Sequence, residues 1–349
     1  MKSIISVVAA GALFFTNTVA QALPPFNPPG AAINFKAVVL FGDSYTDIGT
    51  RQYRPRPETG AGDTAKGASG GRMWPQYVQQ YSGARIYSYA IAASMCTNAF
   101  SPTSGRKTIQ QDQIPSFLAD YKARSATTGQ PILDVPAETT LYAIWIGTND
   151  VGPSGFLTDQ QQPGLRLPAL PDCVYAQIDT LWRDAGARHF VLMNTPPLHL
   201  APQYQPLERG GNGFMAQFDS NLTRSTEKVR NYVGLVNSLY DWRSGYHVLV
   251  GKRWAGSTLA VFDVEALMTD VYNNPGLYLN GTAARPQSQG SAVQCGSACT
   301  DATVQAQNIR DSYMWYDGLH PTEQTGRVIA REFINVQKGN SKWARYWGF

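Results

Sequence analysis

The sequence predicts an α/β protein of three layers, with helices on both faces of a mostly parallel central sheet. Two observations predict it: apolar runs of strand length, and segments of helical periodicity that alternate with them along the chain. Residues 37–41 are apolar at every position, as a strand buried on both faces must be. A helical segment at 74–81 follows, then a second strand run at 86–91 and a helix over 114–124. The run 140–146 is the third strand, 174–185 a helix, 189–193 the fourth strand, and 214–240 a long helix. Residues 258–262 complete the set of strands, and the amphipathic run 323–333 is the last helix. No repeat, linker or low-complexity tract divides residues 23–349, which read as one domain.

Three long polar segments interrupt this alternation, at 50–71, 151–171 and 273–311. Loops of that length inside a compact domain usually serve function. In an open α/β sheet the loops beyond the strands' C-terminal ends hold the ligand.

Composition narrows the function class. The chain has 349 residues, 43 % apolar and 15 % charged, so a sizeable core is available. The net charge of +4 is not gathered into a basic run, which argues against nucleic acid as a partner. Lys2, the apolar run 4–15 and Ala20-Gln-Ala22 have the layout of a secretory signal peptide over residues 1–22. No membrane span is expected, and the mature chain is expected to be secreted and extracellular. Export makes the four cysteines readable as disulfides. Three pairings are possible: Cys295 and Cys299 could staple one loop and leave Cys96 with Cys173, but sequence alone does not fix this. No histidine or second close cysteine pair lies near them, so no metal site is expected. Asn221 and Asn280 head glycosylation sequons.

The chemistry begins at Gly42-Asp-Ser44, where the first apolar run stops. Three turn-forming residues could simply end a strand, or the strand could deliver Ser44 to the sheet edge as a nucleophile. A base is needed for the second reading, and the chain has four histidines. His189 lies inside a strand run, His199 in a loop and His247 at the head of another apolar stretch. His320 differs, because Asp317 precedes it by three residues and can orient its Nδ1 while Nε2 faces a serine. Asn149, directly after the third strand run, could offer a side-chain amide to a developing oxyanion, and the Ser44 backbone N–H could supply another donor. Gly67-Ala-Ser69-Gly-Gly71 also fits the G-x-S-x-G pattern, but no strand precedes it, and Ser69 is rejected as nucleophile.

Together, Gly42-Asp-Ser44, Gly147-Thr-Asn149-Asp150 and Asp317-x-x-His320 resemble blocks I, III and V of the SGNH, or GDSL-type, hydrolases. The resemblance spans nearly the whole mature chain and implies the SGNH fold. It implies Ser44 as nucleophile, His320 as base, Asp317 as its orienting acid, and an oxyanion hole completed by Asn149 and a block II glycine. That glycine's place falls at Ala93, with Ser88 where the family's asparagine would be. This is a departure, since glycine often serves a backbone conformation that alanine tolerates less well. Within the superfamily, "GGRMWPQYV", Cys96-Thr-Asn98, "VLMNTPPL" and "VEALMTDVYNNPGLY" are most similar to fungal secreted acetyl esterases of carbohydrate esterase family sixteen. The resemblance implies short acyl esters as substrates, acetylated hemicellulose oligosaccharides among them, with no cofactor and a monomeric chain. Tyr45 and Trp74 are the aromatic residues expected to meet the acyl group or sugar. A lipase or broad carboxylesterase is the alternative enzyme, and a catalytically impaired carbohydrate-binding protein the alternative of another class.

Overall fold

The computed structural model describes residues 34–49, 67–294, 303–304 and 306–348. Its centre is a six-stranded sheet. Strands β1 (Ala37–Gly42), β2 (Arg85–Ser88), β3 (Thr140–Trp145), β4 (His189–Met193) and β5 (Thr258–Phe262) pair in parallel in the order β5-β4-β3-β1-β2. The C-terminal strand Ala344–Trp347 adds an antiparallel edge on β5. Every residue of β1 and β3 is buried, which explains their unbroken apolar character.

Helices cover both faces. On one side the helix Glu323–Gln337 lies between α1 (Trp74–Ser82) and α6 (Val264–Asn273), in contact with each. Helices α2 (Ile114–Lys122), α4 (Ala169–Asp184) and α5 (Leu222–Gly245) pack on the other, and α3 (Thr148–Val151) is a single turn directly after β3. The three-layer expectation therefore holds, with differences of extent. The helix expected over 214–240 is two elements: a short turn at Phe214–Gln217, then α5, whose start is set by the Asn221 side chain accepting the Arg224 N–H at 3.0 Å. The strand expected over 86–91 ends its regular pairing at Ser88. Beyond it, Tyr89 and Ile91 still donate to the Leu40 and Gly42 carbonyls, so the chain continues alongside β1 past the end of the strand. Part of the long segment 273–311 is built, with Gln287–Ser291 pairing parallel to Tyr313–Trp315.

A disulfide joins Cys96, beyond β2, to Cys173 in the first turns of α4, with Cα atoms 6.3 Å apart. Cys295 and Cys299 lie outside the described residues, as does the segment 1–22 expected as a signal peptide. Among the described residues no helix is long and apolar enough to cross a membrane. Asn221 and Asn280 are both exposed.

Candidate active site

Ser44 stands two residues beyond the end of β1. The chain passes so close to β3 at Gly42 that a Cβ there would come within 2.5 Å of the Trp145 carbonyl oxygen. Gln113 holds both polar atoms of Gly42, accepting its N–H at 2.9 Å and donating Nε2 to its carbonyl at 2.7 Å. Asp43 orders the turn that follows: its Oδ1 accepts the Tyr45 N–H at 2.9 Å and its carbonyl accepts the Asp47 N–H at 2.9 Å. Burial pushes the Asp43 carboxyl up to about 7, against the pull of the Tyr45 N–H and of nearby His320.

The turn brings Ser44 Oγ to 2.7 Å from His320 Nε2. On the far side of the ring, Nδ1 lies 2.9 Å from Asp317 Oδ2 and 3.0 Å from Oδ1. Asp317 Oδ1 also accepts the backbone N–H of Leu319 at 2.8 Å and of His320 at 2.7 Å. Burial works to raise the Asp317 carboxyl, but the imidazole and these backbone donors outweigh it and hold it below the usual carboxylate range. Serine, histidine and aspartate therefore form one hydrogen-bonded chain, in the geometry by which a base can take a hydroxyl proton.

Two backbone donors near the serine have no acceptor among the described residues: the N–H groups of Ser44 and Ala93. Ala93 has φ +65°, the left-handed conformation that glycine adopts without penalty. The departure from glycine thus falls where backbone geometry makes it matter. Asn149, in α3, donates Nδ2 to the Ser94 carbonyl at 3.0 Å, and its second amide hydrogen remains for a ligand.

Tyr45 and Trp74 do not match the expectation of substrate-facing aromatics. They are 1 % and 2 % exposed. Tyr45 packs edge-on to Trp145 and beside the His320 ring, while Trp74 packs against Trp145 and Phe333. Both rings are core, and neither offers a face to a sugar. Ser69 donates Oγ to the Arg72 carbonyl, in the loop 67–73 that leads into α1. The remaining histidines have structural surroundings. His189 Nδ1 meets Thr258 Oγ1, His247 packs between Tyr175 and Trp254, and burial lowers His199 to about 4.

Several residues that build the site carried no sequence signal of their own. Asp47 Oδ2 accepts the Ala92 N–H at 2.8 Å, and buried Asp150 accepts the Cys96 N–H at 2.8 Å. Together they fasten the turn after β2 to the segments after β1 and β3. Burial raises Asp150 to about 7, with neighbouring Asp43 adding to the rise. Their place beside Ser44 and Asn149 in the two motifs was the only available signal.

The family model described as GDSL-like Lipase/Acylhydrolase matches residues 38–333. The acetylesterase of Hypocrea jecorina is 36 % identical over 332 residues, covering 90 % of this chain and 92 % of that protein. The acetylesterase of Thermothelomyces thermophilus is 28 % identical over 317 residues, covering 88 % and 90 %. The solved structure of an extracellular lipase from Streptomyces rimosus aligns with a TM-score of 0.42 at 16 % identity, covering 87 % of this chain and 99 % of that one. A family match over most of the chain, together with a relative above one-third identity along nearly its whole length, places this chain in the GDSL-like lipase/acylhydrolase family as a carboxylic ester hydrolase.

Proposed function

We propose that this protein is a secreted acetyl esterase that removes acetyl groups from plant cell-wall carbohydrates by way of an acyl-serine. The observation that carries the reading is the unbroken hydrogen-bond chain from Ser44 through His320 to Asp317. Two acetylesterases similar along most of the chain support the acetyl group, and the signal-like segment 1–22 supports secretion. Asn221 and Asn280, both exposed, are the positions at which a glycosylating host would attach sugar. The working form is taken as a monomer.

In this reading His320 Nε2 accepts the Ser44 proton as Oγ attacks the ester carbonyl carbon. The carbonyl electron pair moves onto oxygen, where the Ser44 N–H, the Ala93 N–H and the Asn149 amide meet the charge. Collapse re-forms the carbonyl and breaks the bond to the sugar oxygen, which leaves with the proton from His320. Water then attacks the acetyl-serine with His320 again as base, releasing acetate and restoring Ser44. Asp317 stays ionised, fixing the imidazole tautomer and stabilising the transient imidazolium.

The test is turnover of p-nitrophenyl esters from acetate to palmitate beside an acetylated xylo-oligosaccharide. We expect kcat/KM to fall steeply beyond butyrate and the oligosaccharide to be deacetylated. Comparable turnover of acetate and palmitate esters would replace this reading with a lipase or broad carboxylesterase. No turnover of any ester would favour a binding protein.

A further inference from the structure

The turn bearing Ala93 is tied down at several of its other backbone atoms. The Ile91 N–H donates to the Gly42 carbonyl at 3.2 Å, the Ala92 N–H to Asp47 Oδ2 at 2.8 Å, and the Ser94 N–H closes the turn onto the Ile91 carbonyl at 3.1 Å. The Ser94 carbonyl in turn receives Asn149 Nδ2. Ala93 occupies the left-handed position of this turn at φ +65°, where its methyl group is disfavoured and glycine is not. What offsets that preference comes from elsewhere in the chain. Arg106 Nη1 donates to the Ala93 carbonyl at 3.0 Å, and Nη2 of the same guanidinium donates to Ser154 Oγ at 2.7 Å. Anchored at two points, the planar fork has one orientation, and through it the Ala93 carbonyl has one direction. Relaxation of Ala93 to negative φ would swing its N–H away and break the Arg106 contact.

We propose that Arg106 is a positioning residue for ester hydrolysis. By clamping the Ala93 carbonyl against Ser154, it keeps Ala93 left-handed with its N–H open for the developing oxyanion, a task glycine performs unaided. Arg106 touches no reacting atom. The inference rests on the proposed roles of Ser44 and Ala93.

The test compares Arg106→Met in the natural chain and in an Ala93→Gly background. Active sites are counted with a serine-directed phosphonate, and kcat and KM for p-nitrophenyl acetate are expressed per active site. In the natural chain we expect kcat to fall about tenfold with KM changed by less than about twofold, the signature of an interaction made in the transition state. With glycine at 93 the same substitution should cost about threefold or less, because left-handed geometry no longer needs holding. Ser154→Ala, which removes one anchor and spares the arginine, should show a smaller loss with the same dependence on residue 93. Equal kcat losses in both backgrounds overturn the inference. So does a lower melting temperature or fewer active sites with unchanged per-site kcat, which is what a merely structural role would give. Ser44→Ala is run in parallel. If it is dead and unlabelled while Arg106→Met is undiminished, only the inference fails; if it is active, the nucleophile reading fails with it.

Discussion

The Tyr45 hydroxyl donates to the Leu319 carbonyl at 2.6 Å, so the residue after the serine holds the residue before the histidine. This contact crosses from the β1 turn to the Asp317–His320 loop and so ties together the segments that carry Ser44 and His320, the proposed nucleophile and base. Tyr45→Phe keeps the ring packed on Trp145 and removes only that contact. We expect kcat to fall roughly tenfold with little change in KM, since a small misplacement of a catalytic pair is costly. Steady-state kinetics on p-nitrophenyl acetate check this; an unchanged kcat would show that the loop holds its place without the tyrosine.

Asp317→Asn preserves shape but removes the charge that orients His320. By the behaviour of serine hydrolases, kcat should drop by about ten-thousand-fold while substrate binding survives. Asp317→Asn with kcat within tenfold of the natural enzyme would mean that His320 is held by its loop alone.

Asp150 offers a stability test with a defined sign. Burial raises its pKa from 3.8 to about 7, so the folded chain keeps a proton that the unfolded chain releases. Stability contributed by such a group falls as pH climbs from about 4 to about 7 and then levels off. Asp43, also raised to about 7, acts in the same direction, and buried His199, lowered to about 4, acts in the opposite one over an overlapping range, so the natural chain's own profile mixes them. The difference between Asp150→Asn and the natural chain isolates the acid. Asparagine can still accept the Cys96 N–H, and its advantage in urea unfolding should grow between pH 4 and 7. A difference that does not vary with pH would contradict an Asp150 that folds protonated.

The Cys96–Cys173 bridge closes a loop across 77 positions of sequence. Replacing both cysteines with serine should cost roughly 2–5 kcal/mol of stability, measured by urea unfolding without reductant. Identical midpoints for the two proteins would mean that the bridge does not form in solution.

The order of strands and helices was legible because buried parallel strands are apolar throughout and covering helices repeat on a 3.6-residue period. Ser44, Asn149, Asp317 and His320 were legible because each sits in a short motif beside a strand end or helix start. Arg106 and Gln113 were not, since neither stands in a motif and their side chains reach backbone atoms 13 and 71 positions away, at Ala93 and Gly42. Tyr45 and Trp74 misled for a related reason: nearness to the motif in sequence does not reveal which way a ring points. The strand Ala344–Trp347 was too short and too polar at Arg345 to separate from a tail. The interruption before α5 came from Asp219 and Asn221, whose side chains bind the first backbone and side-chain groups of the helix in place of continuing it.

The most direct test of the central claim is labelling by a covalent serine reagent, with peptide mapping of the natural chain and activity assays of Ser44→Ala and Ser69→Ala. Ser44 should carry the label, Ser44→Ala should be folded but inactive, and Ser69→Ala should stay active within about twofold, as expected for a serine whose hydroxyl, among the described residues, bonds only within its own loop, to Arg72 and Gly71. Label on Ser69, or a Ser44→Ala protein that still hydrolyses p-nitrophenyl acetate, would contradict the account.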